Sequence, residues 1–278
     1  MGKRTYRVMD CTRSLDLRTM EFVDSARTRV GGSHDGKVDY GHDCKSIYDY
    51  DNLGLLYVKQ EPGVDSPYED YVSHPGADEI ELTLDGIAIM RYADGEGGPL
   101  VPGVSTFIPA GLPHGNHHPG YDDVQLLVFY PKTVTDVGRA EHKMSDPYTG
   151  GKKHEMINFL EAPAEEVAPG HFFVNVHEGE QICMSYHRLA PGCSFPEKDF
   201  AAEDTDAVYF VFRGAGIATY PDKTYVMKRD LAFYNPAGTP FRYMNNTEED
   251  LHLVVLYPCS SAKNVKCCVK AFSAEPEE

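Results

Sequence analysis

Two histidines and a carboxylate stand where β-strands can bring them together: His74, Glu79 five residues on, and His114 on a later strand. Neutral imidazole and carboxylate suit Fe(II), Mn(II), Ni(II) or Zn(II), and no Cys stands among the three to favour a softer ion. Two imidazoles and one carboxylate on one face of an ion form a triad that leaves positions open for other ligands. Strand alternation extends the set. If Glu79 points inward, so do Glu81 and Thr83, while Leu82 and Leu84 point the other way. A buried Glu81 would hold its proton more tightly than usual and become a general acid or base. At a barrel mouth it would instead be solvated, or meet Arg91. His118 shares the face of His114 and offers a substrate contact or a support for a ligand, whereas His117 faces out. Tyr57, Lys59, Tyr71 and Arg91 are further anion or hydroxyl contacts whose orientation the sequence leaves open.

These residues need rigid elements, and the chain supplies short apolar runs bounded by Pro-Gly or Asp-Gly turns. Leu53–Gln60, Glu79–Leu84, Ile87–Tyr92, Ser105–Ile108 and Val124–Tyr130 read as strands. A second set follows at Gln181–Leu189, Val208–Phe212, Gly216–Tyr220, Leu231–Tyr234 and Leu251–Tyr257. The two sets are copies of one plan. Pro62-Gly63 answers Pro191-Gly192, Gly86 answers Gly214, and Pro109 and Gly111 answer Pro236 and Gly238. Tyr130-Pro131 answers Tyr257-Pro258, with the offset held between 127 and 129 residues throughout. The expected organisation is an arm or edge strands over 1–50, a first barrel over 51–131, a polar connection with one short helix over 132–170, a second barrel over 171–260 and a tail over 261–278. In the second copy the positions of His74, Glu79 and His114 hold Ala202, Ala207 and Phe241, so that half binds no metal in the same way.

The stretch His74-x4-Glu79-x6-Gly86 resembles the first motif of the cupin superfamily, and Gly103-x5-Pro109-x-Gly111-x2-His114 resembles the second. Two such units in tandem are similar to a bicupin. The resemblance implies an all-β fold of two small jelly-roll barrels, a metal near the axis of the first, and a homodimer. The family usually has His-x-His where this chain has Val72-Ser73-His74, and its final Asn falls on His118. The ligand set implied is therefore His74, Glu79 and His114, holding one divalent metal per chain, with Fe(II) preferred. The competing reading is that the missing histidine marks a lost site.

Composition narrows the function classes. The formal charge of −17, with no basic run, disfavours nucleic acid and anionic membrane as partners. No apolar run is long enough to span a bilayer, and the basic N-terminus lacks the apolar run of a secretory signal. The expectation is a soluble, cytoplasmic protein. Its seven cysteines show no repeated CxxC spacing and read as reduced thiols. A mononuclear metal enzyme on a small polar molecule leads, most simply an Fe(II)-dependent dioxygenase in which Glu81 or His118 moves protons. A non-redox lyase, isomerase or decarboxylase is the alternative, and a non-catalytic small-molecule-binding bicupin the third.

Overall fold

The computed structural model describes residues 4–13, 15–23, 27–29, 42–62, 70–143, 146–200, 202, 204–262 and 265. His34, Asp35, Asp39, Cys267 and Cys268 lie outside them. The chain forms two compact units, 24–161 and 1–23 with 162–278. Among the described residues all sheet pairing is antiparallel, and the one helical element is a 3-10 turn, Val134–Asp136.

In the first unit a seven-stranded sheet runs Glu155–Asn158, Val104–Ile108, Glu79–Asp85, Val124–Tyr130, Leu53–Gln60, His42–Tyr50 and Arg27–Arg29. A five-stranded sheet runs Gly95–Leu100, Ala88–Tyr92, His114–His117, Asp70–Ser73 and Ala140–Lys143. Alternating side chains from both sheets meet between them: Ala88, Met90 and Tyr92 from one face, Val104, Ile108, Val124 and Leu126 from the other. Glu79–Asp85 is buried along nearly its whole length, so this strand is rigid at the point where it carries Glu79 and Glu81.

The second unit repeats the plan. Its nine-stranded sheet centres on Leu251–Tyr257 between Cys183–Leu189 and Ala207–Arg213, and its four-stranded sheet comprises Ser194–Phe200, Phe241–Met244, Ala215–Thr219 and Thr224–Lys228. The core is aromatic, with Phe195, Tyr209, Phe233, Phe241 and Tyr243 packed together. The duplicated positions keep their physical roles. Gly86 and Gly214 both adopt positive φ (77° and 82°). A side chain on either would strike the backbone oxygen of Asp123 or of Asp250, at 2.5 and 2.3 Å. Asp78 Oδ1 accepts the backbone N–H of Ala110 at 3.0 Å, and Asp206 Oδ1 accepts that of Ala237 at 2.9 Å. Each carboxylate thus clamps the Pro-Ala-Gly turn before the strand that carries His114 or Phe241.

Two expectations meet a different arrangement. The first 50 residues are not one arm: Arg7–Asp10 pairs with Leu231–Asn235 in the second unit, and His42–Tyr50 forms a hairpin with Leu53–Gln60 in the first. The polar connection holds the short 3-10 turn Val134–Asp136 and, beyond the expectation, supplies sheet edges. Ala140–Lys143 pairs with Asp70–Ser73, Glu155–Asn158 with Val104–Ile108, and Glu165–Ala168 with His171–Glu178. Edge strands bond through their backbones and keep one face in water, so a polar composition hides them from a reading based on apolar runs.

A buried histidine pair in the second unit ties this fold to pH. His171 Nε2 and His187 Nδ1 lie 2.9 Å apart, and Ser185 Oγ is 3.1 Å from His187 Nε2. Burial lowers His171 from 6.5 to about 4 and His187 well below its usual value. A depressed histidine contributes stability that is full above about pH 6.5 and lost as pH falls towards about 4, because the unfolded chain takes up the proton first. His171 alone accounts for roughly 3 kcal/mol over that window. Thermal denaturation across it should show the melting temperature falling with pH, and His171→Gln should flatten the fall. An unchanged slope in His171→Gln would remove this pair from the acid sensitivity of the protein.

Candidate metal centre

The three ligand candidates come from both sheets of the first unit. His74 follows the strand Asp70–Ser73, Glu79 opens Glu79–Asp85, and His114 opens His114–His117. Backbone bonds hold the junction. Gly111 N–H donates to the carbonyl of His74 at 3.1 Å, and Gly76 N–H to that of Val137 at 3.0 Å. Val72 sits opposite His114 in the pairing of their strands, which brings His74 and His114 to one end of the barrel.

One ligand atom from each of His74, Glu79 and His114 lies within 4.8 Å of the other two. Glu79 Oε2 is 3.4 Å from His114 Nε2 and 3.7 Å from His74 Nε2. The ring centroids of His74 and His114 are 5.7 Å apart. The outer nitrogens are already committed. His74 Nδ1 bonds the carbonyl of Gly138 at 2.8 Å, and His114 Nδ1 bonds the carbonyl of Leu112 at 2.9 Å. A carbonyl only accepts, so both Nδ1 atoms carry a proton, and in the neutral imidazole each Nε2 presents a lone pair. Glu79 is oriented likewise: Tyr130 OH donates to Oε1 at 2.9 Å, while the buried Oε2 has no hydrogen-bond partner.

Electrostatics follow from burial. His114 is pushed down by desolvation against the opposing pull of Glu79, which keeps the imidazole neutral. Tyr130 is pushed well up by burial and by the charge of Glu79, so its hydroxyl keeps the proton it donates. Glu81, 5% exposed, is raised well above the carboxylate range by burial first and by Glu79 second. That decides between the two sequence readings of Glu81: it is an interior carboxyl group and not a solvated residue at the mouth.

Three electron-rich atoms converging in a dry interior fit a cation. Two imidazole lone pairs facing a carboxylate oxygen cannot satisfy one another, since none carries a proton to donate. A divalent ion of the Fe, Mn, Ni or Zn type accepts all three donors.

Other residues singled out in the sequence lie elsewhere. His118 is buried, but its Nδ1 bonds the carbonyl of Glu61 at 2.8 Å and it is absent from the ligand group. It follows the end of the strand His114–His117 and lies beyond it. Lys59 is engaged by Asp123 at 2.5 Å. Tyr71 is buried, and Tyr57 lies beneath the ammonium of Lys45, 6.0 Å from its ring centre. Sequence reasoning missed Tyr130, the carbonyls of Gly138 and Leu112, and Arg139. Arg139 is exposed between Gly138 and Ala140, which pairs with Ser73. Its charge lowers His114 and opposes the upward shift of the Cys44 thiol. In the second unit Ala202, Ala207 and Phe241 are buried in the apolar cluster, with no metal-binding group among them.

No family model matches the sequence, and no curated protein matches it. Solved structures do match the fold. A glyoxylate-induced protein from Pseudomonas aeruginosa, a function ascribed to it provisionally, superposes with TM-score 0.65 at 12% identity, covering 92% of this chain and 88% of that one. Salicylate 1,2-dioxygenase from Pseudoaminobacter salicylatoxidans gives 0.58 at 15% identity, over 74% of this chain and 71% of that one. A variant of Bacillus subtilis oxalate decarboxylase gives 0.61 at 11% identity, over 94% and 79%. At these identities the likeness shows the fold alone.

The hydroxyl of Tyr130 decides which carboxylate oxygen faces the imidazoles. Tyr130→Phe should therefore weaken binding of Zn(II) or Fe(II) by about 10- to 100-fold, read by competition against a chelator. Equal affinity in variant and parent would show that Glu79 needs no such support.

Proposed function

We propose that this chain, an all-β protein of the cupin fold, is a mononuclear metal-dependent enzyme whose site is the 2-His-1-Glu cluster of its first unit. The observation that carries the reading is the convergence of His74 Nε2, His114 Nε2 and Glu79 Oε2 within 4.8 Å, with their other polar atoms tied down. His74, His114 and Glu79 would hold the ion, and Fe(II) is preferred. The finer reading is an Fe(II)-dependent dioxygenase: with only three protein ligands, a bound iron would leave room for a small substrate and O2 and supply the redox chemistry.

The chain's own residues set the rest. Tyr130 holds the carboxylate, Gly138 and Leu112 hold the imidazoles, and Glu81 keeps a proton inside the cavity until substrate chemistry requires it. Arg139 places a positive charge beside the site, which supports a substrate bearing a carboxylate. The fold neighbours that act on salicylate and oxalate lend the same support.

A second reading, a non-redox decarboxylase or lyase, is favoured by Glu81. A carboxyl group held neutral by burial next to an ionised one is the arrangement from which general acids and bases are made. Oxygen separates the readings.

Elemental analysis of protein purified without chelator or added metal is expected to find about one iron per chain, with oxygen uptake on hydroxylated aromatic or short dicarboxylic acids. Stoichiometric Mn, Ni or Zn with turnover under anaerobic conditions would move the decarboxylase reading to first place. An intact fold that takes up no metal on titration would leave a binding protein. His114→Ala should abolish metal binding while the fold survives, since the second unit holds Phe241 at the equivalent place. Full metal content in His114→Ala would refute the ligand assignment. Glu81→Gln should retain the metal and slow turnover about 100-fold or more, and unchanged kinetics would remove Glu81 from the chemistry.

A further inference from the structure

Away from the metal centre, two cysteines of the second unit face each other. Cys183 opens the strand Cys183–Leu189 and is fully buried, whereas Cys259 follows the last strand, Leu251–Tyr257, and is partly exposed. Cys183 sits opposite Tyr257 in the sheet register. Cys259 is two residues further on, in the bend that follows the strand. Their sulfurs are 3.7 Å apart. We propose that Cys183 and Cys259 are an oxidisable pair that closes to a disulfide when the protein meets hydrogen peroxide.

The two thiols have different surroundings, and these assign their roles. Cys259 has a route to solvent, and its thiol is lowered from its usual value, chiefly by the bond to Cys183 and against the effect of burial. It also lies near the carbonyl of Ser261 at 3.6 Å. Cys183 is screened from solvent but within reach of Cys259. Cys259 as thiolate attacks the peroxide, breaking the O–O bond, becoming a sulfenic acid and releasing one water once the leaving oxygen is protonated. The sulfur of Cys183 then attacks that of Cys259. The S–S bond forms, the S–OH bond breaks, and the hydroxyl leaves as a second water with the proton of Cys183. Two thiols and one peroxide become one disulfide and two waters.

Geometry favours this pair over the others described. Cys44 belongs to the other unit. Cys193 is bonded to the carbonyl of Pro169 at 3.3 Å, and Cys11 is fully buried. The bridge would join points 76 residues apart and anchor the segment after the last strand to the sheet. Ser261, which is hydrogen-bonded to Glu178, already holds that segment from the other side.

Full-length protein treated with a small excess of hydrogen peroxide, alkylated with N-ethylmaleimide and digested should yield one species joining the Cys183 and Cys259 peptides, released by dithiothreitol. Its melting temperature should rise on oxidation and return on reduction. In Cys183→Ala the same treatment should carry Cys259 to sulfinic acid, because the second thiol is gone. Cys183 and Cys259 both recovered alkylated after peroxide, or Cys259 joined to Cys267, Cys268 or a second chain, would overturn the proposal. Peptide mapping of the unmutated chain decides the matter even if Cys183→Ala fails to fold.

Discussion

A carboxylate removed from water must be met by donors or by positive charge, and Glu79 is met by too little of either. One oxygen receives the hydroxyl of Tyr130, while the other faces two nitrogen lone pairs at 3.4 and 3.7 Å. Left so, the interior would hold an uncompensated charge, whose burial costs several kcal/mol. The carbonyls of Gly138 and Leu112 sharpen the problem, because they take the only proton each imidazole has. The backbone around the cluster is arranged to withhold protons from its centre. That arrangement makes sense for a cation and for little else.

The second unit shows what this costs, by omitting it. The same strands, the same positive-φ glycines and the same carboxylate-clamped turn carry Ala202, Ala207 and Phe241 there, and the interior closes as an aromatic core. The frame therefore does not require the polar cluster. Where the first unit has Glu81, the repeat has Tyr209, buried among Phe195, Phe241 and Tyr243. The second unit holds one polar network that closes on itself. Tyr220, Asn235 and Tyr243 bond one another at 2.6 to 3.0 Å. A network that satisfies itself presents no converging lone pairs, unlike the cluster of the first unit.

Much of this was legible in the sequence because it rests on local pattern. Leu53–Gln60, Val124–Tyr130 and Leu251–Tyr257 are strands with the bounds their apolar runs indicate. The spacing of His74, Glu79 and His114 pointed to the cluster that forms. What stayed hidden depends on long-range placement. Tyr130 was visible only as one mark of the repeat, answered by Tyr257, and nothing near it tells that its hydroxyl reaches Glu79, 51 residues away. Gly138 contributes a carbonyl, which every residue has. His118 looked like a neighbour of the site because strand alternation gives the face of a side chain but not its distance along the axis. The edge strands of the connection were hidden for a related reason: pairing by backbone alone leaves little trace in side-chain pattern.

Charge bookkeeping at the site gives Glu81 a meaning beyond its proton affinity. Two neutral imidazoles, ionised Glu79 and a divalent ion sum to one positive charge. With Glu81 protonated, that excess would be matched by a singly charged substrate of the proposed kind, and Arg139 would favour a second negative group. With Glu81 ionised the site is neutral before anything binds. The two carboxyls are two residues apart on one face of one strand, so the charge of Glu79 adds to burial in raising Glu81. Binding of the metal should therefore pull Glu81 back towards the ordinary carboxylate range, and binding of an anionic substrate should push it up again. A carboxyl group whose proton affinity swings with occupancy of the site takes a proton when substrate arrives and gives it up when product leaves. In the enzyme proposed above, its position two residues from a ligand would couple proton movement to turnover.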